Sequence, residues 1–227
     1  MLASHARPQI ARVLEPLGRR LASTGLSPDV ITVVGTLGVT AGALAFYPFG
    51  RLFWGTIVIT LFVFSDMLDG LLARAQGVSS PWGAFLDSSS DRVGDAAIFG
   101  GLVLWFSGGG HSQTMVAVTL YCLAAGATIS YVKARAEGLG FTCNVGIAER
   151  GERLVIVLAA AGLSGLGVPY LLPVALWVLA VLTTITVIQR LVHVRRQALG
   201  AASRSARPAP LQRRRTARQG DATAGVR

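Results

Sequence analysis

Six stretches of the chain stay apolar for about the 20 residues that a helix needs to cross a bilayer, and short polar segments separate them. Their predicted limits are 30–46, 52–73, 84–106, 114–131, 154–171 and 173–194. Ahead of the first, Ile10, Val13, Leu14, Leu17 and Leu21 recur at helical spacing with Arg7, Arg12, Arg19 and Arg20 among them. That is the pattern of an amphipathic helix lying in the membrane interface, and Pro16 is expected to kink it. Ser27, Pro28 and Asp29 then read as N-cap, first-turn proline and first-turn acid of the first span. The expected fold class is an all-α integral membrane protein with six transmembrane helices preceded by an amphipathic interfacial N-terminal helix. Its parts are the interfacial helix over 1–26, a six-helix transmembrane domain over 27–196 and a basic cytoplasmic tail over 197–227. From residue 200 onward the tail holds seven arginines and one aspartate among Ala, Ser and Pro, so it cannot bury a core and disorder is expected.

Composition agrees with that class. Of 227 residues, 52% are hydrophobic and 14% charged, and mean hydropathy is +0.56, values of a membrane protein rather than a soluble domain. The formal net charge of +10 comes almost wholly from arginine, Lys133 being the one lysine. Basic residues collect in the N-terminal segment, around Arg74, in the loop holding Lys133, Arg135, Arg150 and Arg153, and in the tail; the intervening loops hold only Arg51. By the positive-inside rule both termini face the cytoplasm of an inner-membrane, multi-pass protein. The charge thus fits topology and anionic lipid, and with no zinc-finger or RNP-like motif it does not call for nucleic acid. The first twenty residues hold no uninterrupted apolar core, so a cleaved signal peptide is not expected. Cys122 and Cys143 are too few and too far apart for a disulfide framework or a zinc site and are expected to be free structural thiols.

Against this apolar background the acids stand out. Five of the 11 acidic residues (Asp66, Asp69, Asp87, Asp91 and Asp95) fall within thirty residues. A charge at membrane depth costs several kcal/mol, so such a cluster marks a functional site. Asp66 and Asp69 are spaced i,i+3 and Asp87 and Asp91 i,i+4, so on helices each pair shares a face. Two such pairs across a helical hairpin make an oxygen-only cage suited to hard divalent cations such as Mg2+. Asp66 lies eight residues before Arg74, about 12 Å of helix, which sets the cage just under the cytoplasmic surface. Gly70, Ala73 and Gly83 keep that face narrow enough for backbone or substrate to approach, or serve as ordinary packing contacts between membrane helices. Asp29 either complements the helix dipole or points into the same cavity. Asp95 continues the face of Asp87 and Asp91 but reads as a helix-packing acid or one that supports the cage from behind, with Arg92 within reach as a partner.

The string Asp66-x2-Asp69-Gly70-x2-Ala73-Arg74-x8-Gly83-x3-Asp87-x3-Asp91 resembles the signature of the CDP-alcohol phosphotransferases at all eight positions. Six spans, an amphipathic N-terminal helix and cytoplasmic termini extend the resemblance over nearly the whole chain. It implies an enzyme that transfers a substituted phosphate from a CDP-linked lipid to an alcohol and releases CMP, with two ions of Mg2+ or Mn2+ as cofactors. On the same resemblance Asp66, Asp69, Asp87 and Asp91 hold the metals and Asp91 is the catalytic base. Asp66 and Asp69, with Gly70, Ala73, Arg74 and Gly83, meet the nucleotide of CDP-diacylglycerol, and Asp29 is grouped with them. Two metals can neutralise charge on the attacked phosphate and on the leaving group, and a carboxylate can take the hydroxyl proton, so the chemistry agrees. A homodimer in the lipid bilayer is implied by the resemblance alone.

Acceptor choice rests on the cations. Ser130-Tyr-Val-Lys133-Ala-Arg135-Ala-Glu137 together with Glu149-Arg150-x-Glu152-Arg153-Leu is similar to the bacterial phosphatidylinositol-phosphate synthases within that family. The resemblance implies that Lys133, Arg153 and Arg190 bind the phosphate of inositol phosphate, which arginine and lysine suit as a planar fork and a point charge, and Arg135 is grouped with them as a neighbouring cation. Basic residues at cytoplasmic helix ends are also what topology alone requires. Two alternatives stand beside this expectation: phosphatidylglycerol-phosphate synthase, whose acceptor is also a phosphorylated alcohol, and a divalent-cation transporter in which the aspartates line a path. Clustering of the acids at one depth, with no ionisable ladder continuing outward, speaks against transport.

Overall fold

The computed structural model describes residues 27–76 and 80–205, and among these the side chains outside 65–76 and 201–205. The predicted interfacial helix and most of the tail therefore lie outside the described residues. Among the described residues six α-helices follow in order: α1 (Pro28–Phe46), α2 (Leu52–Gln76), α3 (Pro81–Ser107), α4 (Gln113–Gly138), α5 (Arg150–Gly165) and α6 (Leu171–Ser205). No strand occurs among the described residues.

Local chemistry explains the helix starts. Ser27 caps α1 by accepting from the Val30 amide at 3.4 Å, with Pro28 at the first position. Ser80 does the same for α3, accepting from the Gly83 amide at 3.0 Å ahead of Pro81, and Ser112 caps α4 through Met115. Each cap satisfies an amide that no helical carbonyl can reach. Two ends differ from the periodicity. The apolar pattern predicts a fifth span over 154–171, but α5 runs from Arg150 to Gly165, and Gly167 at φ +96 with Pro169 behind it turns the chain before α6. A left-handed glycine followed by proline stops a helix. Conversely α6 continues beyond the predicted 194 through Ser205, because Arg, Gln and Ala there are good helix formers.

Among the described residues three segments are long and apolar enough to cross a membrane, Pro28–Phe49, Gln113–Gly138 and Leu171–Gly200; α2 adds a shorter apolar stretch, Leu52–Phe64. Helix α1 packs on α2 and α3, α3 on α4, α4 on α6, and α5 bridges α2 and α6. Small residues allow the close approaches that helices need when lipid supplies no hydrophobic drive between them. A Cβ on Gly101 of α3 would lie 2.8 Å from the Ala43 carbonyl oxygen of α1, and one on Gly165 would overlap the backbone of Phe53. The core contains Tyr47, Ile59, Phe99, Leu102, Val157 and Leu176, with the Tyr47 hydroxyl satisfied by Thr56 at 2.9 Å. Cys122 and Cys143 are buried, free thiols. This packing gathers the N-terminal ends of α1, α3 and α5 at one end of the bundle, where Trp82 of α3 donates to Asp29 of α1 and Arg150 of α5 meets Asp91 of α3.

Candidate functional site

At that end of the bundle a cleft holds about 260 Å³ of empty space, part of it open to solvent, between Gly35 and Val39 of α1, Phe62 of α2, Ser90 and Asp91 of α3, and Arg150 of α5. One wall, with Val39 and Phe62, is apolar and the other, with Asp91 and Arg150, is charged.

Helix α3 presents Asp87, Asp91 and Asp95 at successive turns. Asp87 is exposed. The Asp91 side chain is 15% exposed; its Oδ1 accepts from Arg150 Nη1 at 2.7 Å and its Oδ2 lies 3.4 Å from Arg92 Nη2. Asp95 is deeper, at 10%, with Oδ1 3.2 Å from Arg150 Nε and Oδ2 3.1 Å from Arg153 Nη2. The partners of Asp95 are thus the two arginines that open α5. Arg92, the neighbour that sequence proximity offers, reaches Asp91, and its buried Nε has no hydrogen-bond acceptor among the described residues. Asp66, Asp69, Gly70, Ala73 and Arg74 lie on α2, and their side chains fall outside the described residues. Among the described residues no three His, Cys, Asp or Glu side chains converge on a metal position; Asp87 and Asp91 are the members of the predicted cage that the description includes.

The nucleotide residues divide. Asp29 is half-buried and accepts from the Trp82 indole at 3.1 Å, so it ties the starts of α1 and α3 together. Among the described residues a Cβ on Gly83 would meet nothing closer than Ser80 Oγ at 3.4 Å, an ordinary contact.

The predicted acceptor residues occupy two environments. Lys133 and Arg135 are near the end of α4, where Lys133, its side chain 41% exposed, lies 3.9 Å from Glu137 and Arg135 is exposed. Arg153 and Arg190 are 2% and 3% exposed. Arg153 donates to Asp95 and to the Ala148 carbonyl at 3.4 Å, beside Gly126, where a Cβ would stand 3.2 Å from its Nε. Arg190 donates from Nη1 to the Ile129 carbonyl at 2.6 Å and from Nε to Val145 at 2.9 Å. It thereby joins α6, α4 and the α4–α5 loop. Thr186 and Gln197 of α6 hold the same loop, Thr186 accepting from the Ala148 amide and Gln197 pairing with Thr142. Sequence reasoning missed this anchoring role, for which polar positions at helical spacing on α6 (Thr186, Arg190, Gln197), the first two of them buried, are the one available sign. Arg153 and Arg190 are thus enclosed and engaged by oxygens of the protein itself, whereas Lys133 and Arg135 face outward.

Comparison with known proteins gives a consistent outcome. Residues 26–186 match the CDP-alcohol phosphatidyltransferase family. A phosphatidylinositol phosphate synthase of Streptomyces avermitilis is 54% identical over 208 residues, which cover 88% of this chain and 85% of that protein. The crystal structure of Mycobacterium tuberculosis phosphatidylinositol phosphate synthase with CDP-DAG bound superposes with a TM-score of 0.77 at 45% identity, covering 81% of this chain and 94% of the other. The same enzyme in complex with manganese and citrate gives 0.76 at 45% identity, covering 79% and 87%.

Proposed function

The chain belongs to the CDP-alcohol phosphatidyltransferase family, and on that footing we propose that it transfers phosphatidyl from CDP-diacylglycerol to a hydroxyl of inositol phosphate, releasing CMP. The observation that carries this reading is the 54% identity over 88% of the chain to a phosphatidylinositol phosphate synthase, combined with a complete family signature in the sequence. In the reaction, the acceptor oxygen bonds to the phosphatidyl phosphorus, the bond from that phosphorus to the bridging oxygen of the diphosphate breaks, and CMP leaves with the bridging oxygen.

The donor set fits Mg2+ or Mn2+. Four aspartates offer hard oxygen ligands; those described, Asp87 and Asp91, are on one side of α3 with Asp87 open to solvent. Arginine pairing does not exhaust Asp91, since a carboxylate has about four lone-pair sites. Asp66, Asp69, Asp87 and Asp91 are the residues that would hold two ions. When bound, such ions supply neutralisation of charge on the diphosphate and polarisation of the acceptor hydroxyl. Asp91 takes the hydroxyl proton at a carboxylate oxygen as the new bond forms. Gly70, Ala73, Arg74 and Gly83 border the nucleotide, with Asp29 fixing the α1–α3 edge of that pocket. Lys133, Arg135, Arg153 and Arg190 supply positive charge for the acceptor phosphate. Phe62 and Val39 give the lipid an apolar wall.

We read all six helices as spans, both termini and the site as cytoplasmic, and the protein as a homodimer in the inner membrane. Support for the orientation is the basic character of one set of loops; support for the dimer is family resemblance.

The test is CMP release by purified protein given CDP-diacylglycerol and a panel of inositol phosphate, free inositol, glycerol phosphate and serine. Release with inositol phosphate, abolished by chelator and restored by Mg2+ or Mn2+, is expected. Release with glycerol phosphate alone would make the protein a phosphatidylglycerol-phosphate synthase. Divalent-cation flux into vesicles with no CMP from any acceptor would replace the enzyme with a transporter.

A further inference from the structure

Asp95 lies outside the eight-position signature, yet it is the more deeply set acid of the Asp91–Asp95 pair. Its two oxygens go to different arginines, Oδ1 to Arg150 Nε at 3.2 Å and Oδ2 to Arg153 Nη2 at 3.1 Å. A second N–H group of Arg150 then reaches Asp91 Oδ1 at 2.7 Å. One planar guanidinium is therefore held between two acids a helical turn apart on α3, and a second guanidinium, almost fully buried, is fixed by the same carboxylate. Burying an unpaired guanidinium costs several kcal/mol, so the position of Arg153 depends on an anionic partner; the Ala148 carbonyl at 3.4 Å is a weaker one. The ladder Asp91–Arg150–Asp95–Arg153 runs from the proposed base and metal ligand to a proposed acceptor-phosphate residue without a gap.

Resting on the function proposed above, we infer that Asp95 is a positioning residue for the transfer, setting Arg150 against Asp91 and Arg153 toward the acceptor phosphate. A carboxylate that only packed α3 against α5 would need one of these contacts. Two contacts to two arginines with different destinations fix both in a single geometry, because the arginine fork is planar and rigid. Without the Asp95 charge, Arg150 turns its freed N–H toward Asp91 and competes with a divalent cation for that carboxylate, while Arg153 loses its anchor.

The experiment compares full-length wild type, Asp95→Asn and Asp95→Glu in detergent. In steady-state CMP release, Asp95→Asn is expected to raise the Michaelis constant for inositol phosphate about 10-fold, the worth of one charge-assisted contact, and that for CDP-diacylglycerol less than about twofold. Mn2+ binding without substrate, followed by calorimetry, should weaken about fivefold on the same scale. Asp95→Glu keeps the charge but misplaces it by one methylene, so an intermediate rise of about threefold is expected for the acceptor; it carries the test if Asp95→Asn does not fold. A packing role predicts a lower unfolding temperature with Mn2+ affinity and acceptor constant at wild-type values in the folded fraction, and that result overturns the inference. Wild type that releases no CMP with inositol phosphate would instead overturn the proposed function, and Mn2+ binding would still judge the link between Asp95 and Asp91.

Discussion

Asp87 and Asp91 of α3 and the buried arginines of α5 and α6 hold their charge in different ways. Asp87 is exposed and Asp91 borders an open cleft, whereas Arg153 and Arg190 are enclosed and engaged by carboxylate and carbonyl oxygens of the protein itself. A carboxylate left toward a cleft keeps capacity for a cation brought by a ligand. A guanidinium stripped of water must be compensated within the protein, so it also holds helices and loops together. The difference teaches that the four predicted acceptor residues divide, Arg153 and Arg190 being buried and structural while Lys133 and Arg135 face outward.

Four substitutions would break or sharpen the contrast. Asp91→Asn is expected to have the largest effect, lowering turnover by at least about 100-fold through loss of the base while CDP-diacylglycerol binding and unfolding temperature stay near wild type; near-normal turnover would remove its proposed role. Arg153→Ala should act on both stability and function. Taking one of two partners from buried Asp95 costs about 3 kcal/mol, read as a lower unfolding midpoint, and the Michaelis constant for inositol phosphate should rise about 10-fold in the protein that folds. An unchanged acceptor constant would leave Arg153 a purely structural cation.

Arg190→Lys keeps the charge but cannot reach both the Ile129 and Val145 carbonyls. Leaving one unsatisfied costs about 1–3 kcal/mol, and protease sensitivity should increase in the α4–α5 loop that Arg190 anchors. Full resistance there would show that Thr186 and Gln197 suffice. Lys133→Ala gives the smallest change in stability, within about 0.5 kcal/mol, since its pairing with Glu137 at 3.9 Å is long and exposed. Its acceptor constant should nevertheless rise about 10-fold, so a silent Lys133→Ala would move acceptor binding away from the exposed cations.

The sequence by itself determined what depends on neighbours along the chain. Apolar runs of membrane length, the Ser-Pro start of α1 and the i,i+4 spacing of Asp87 and Asp91 are local, and each fixes a helix or a shared face with no knowledge of what packs against it. The spacing of eight positions likewise carried the family. Tertiary structure alone decided the partners: Trp82 with Asp29, Arg153 with Asp95, and Arg190 with Val145 and Ile129 join residues 53, 58, 45 and 61 positions apart. Periodicity cannot choose between Arg92, one turn from Asp95 on its own helix, and Arg150 and Arg153 on another. That choice follows from the tertiary placement of α5, whose first turn brings Arg150 and the buried Arg153 within reach of Asp95.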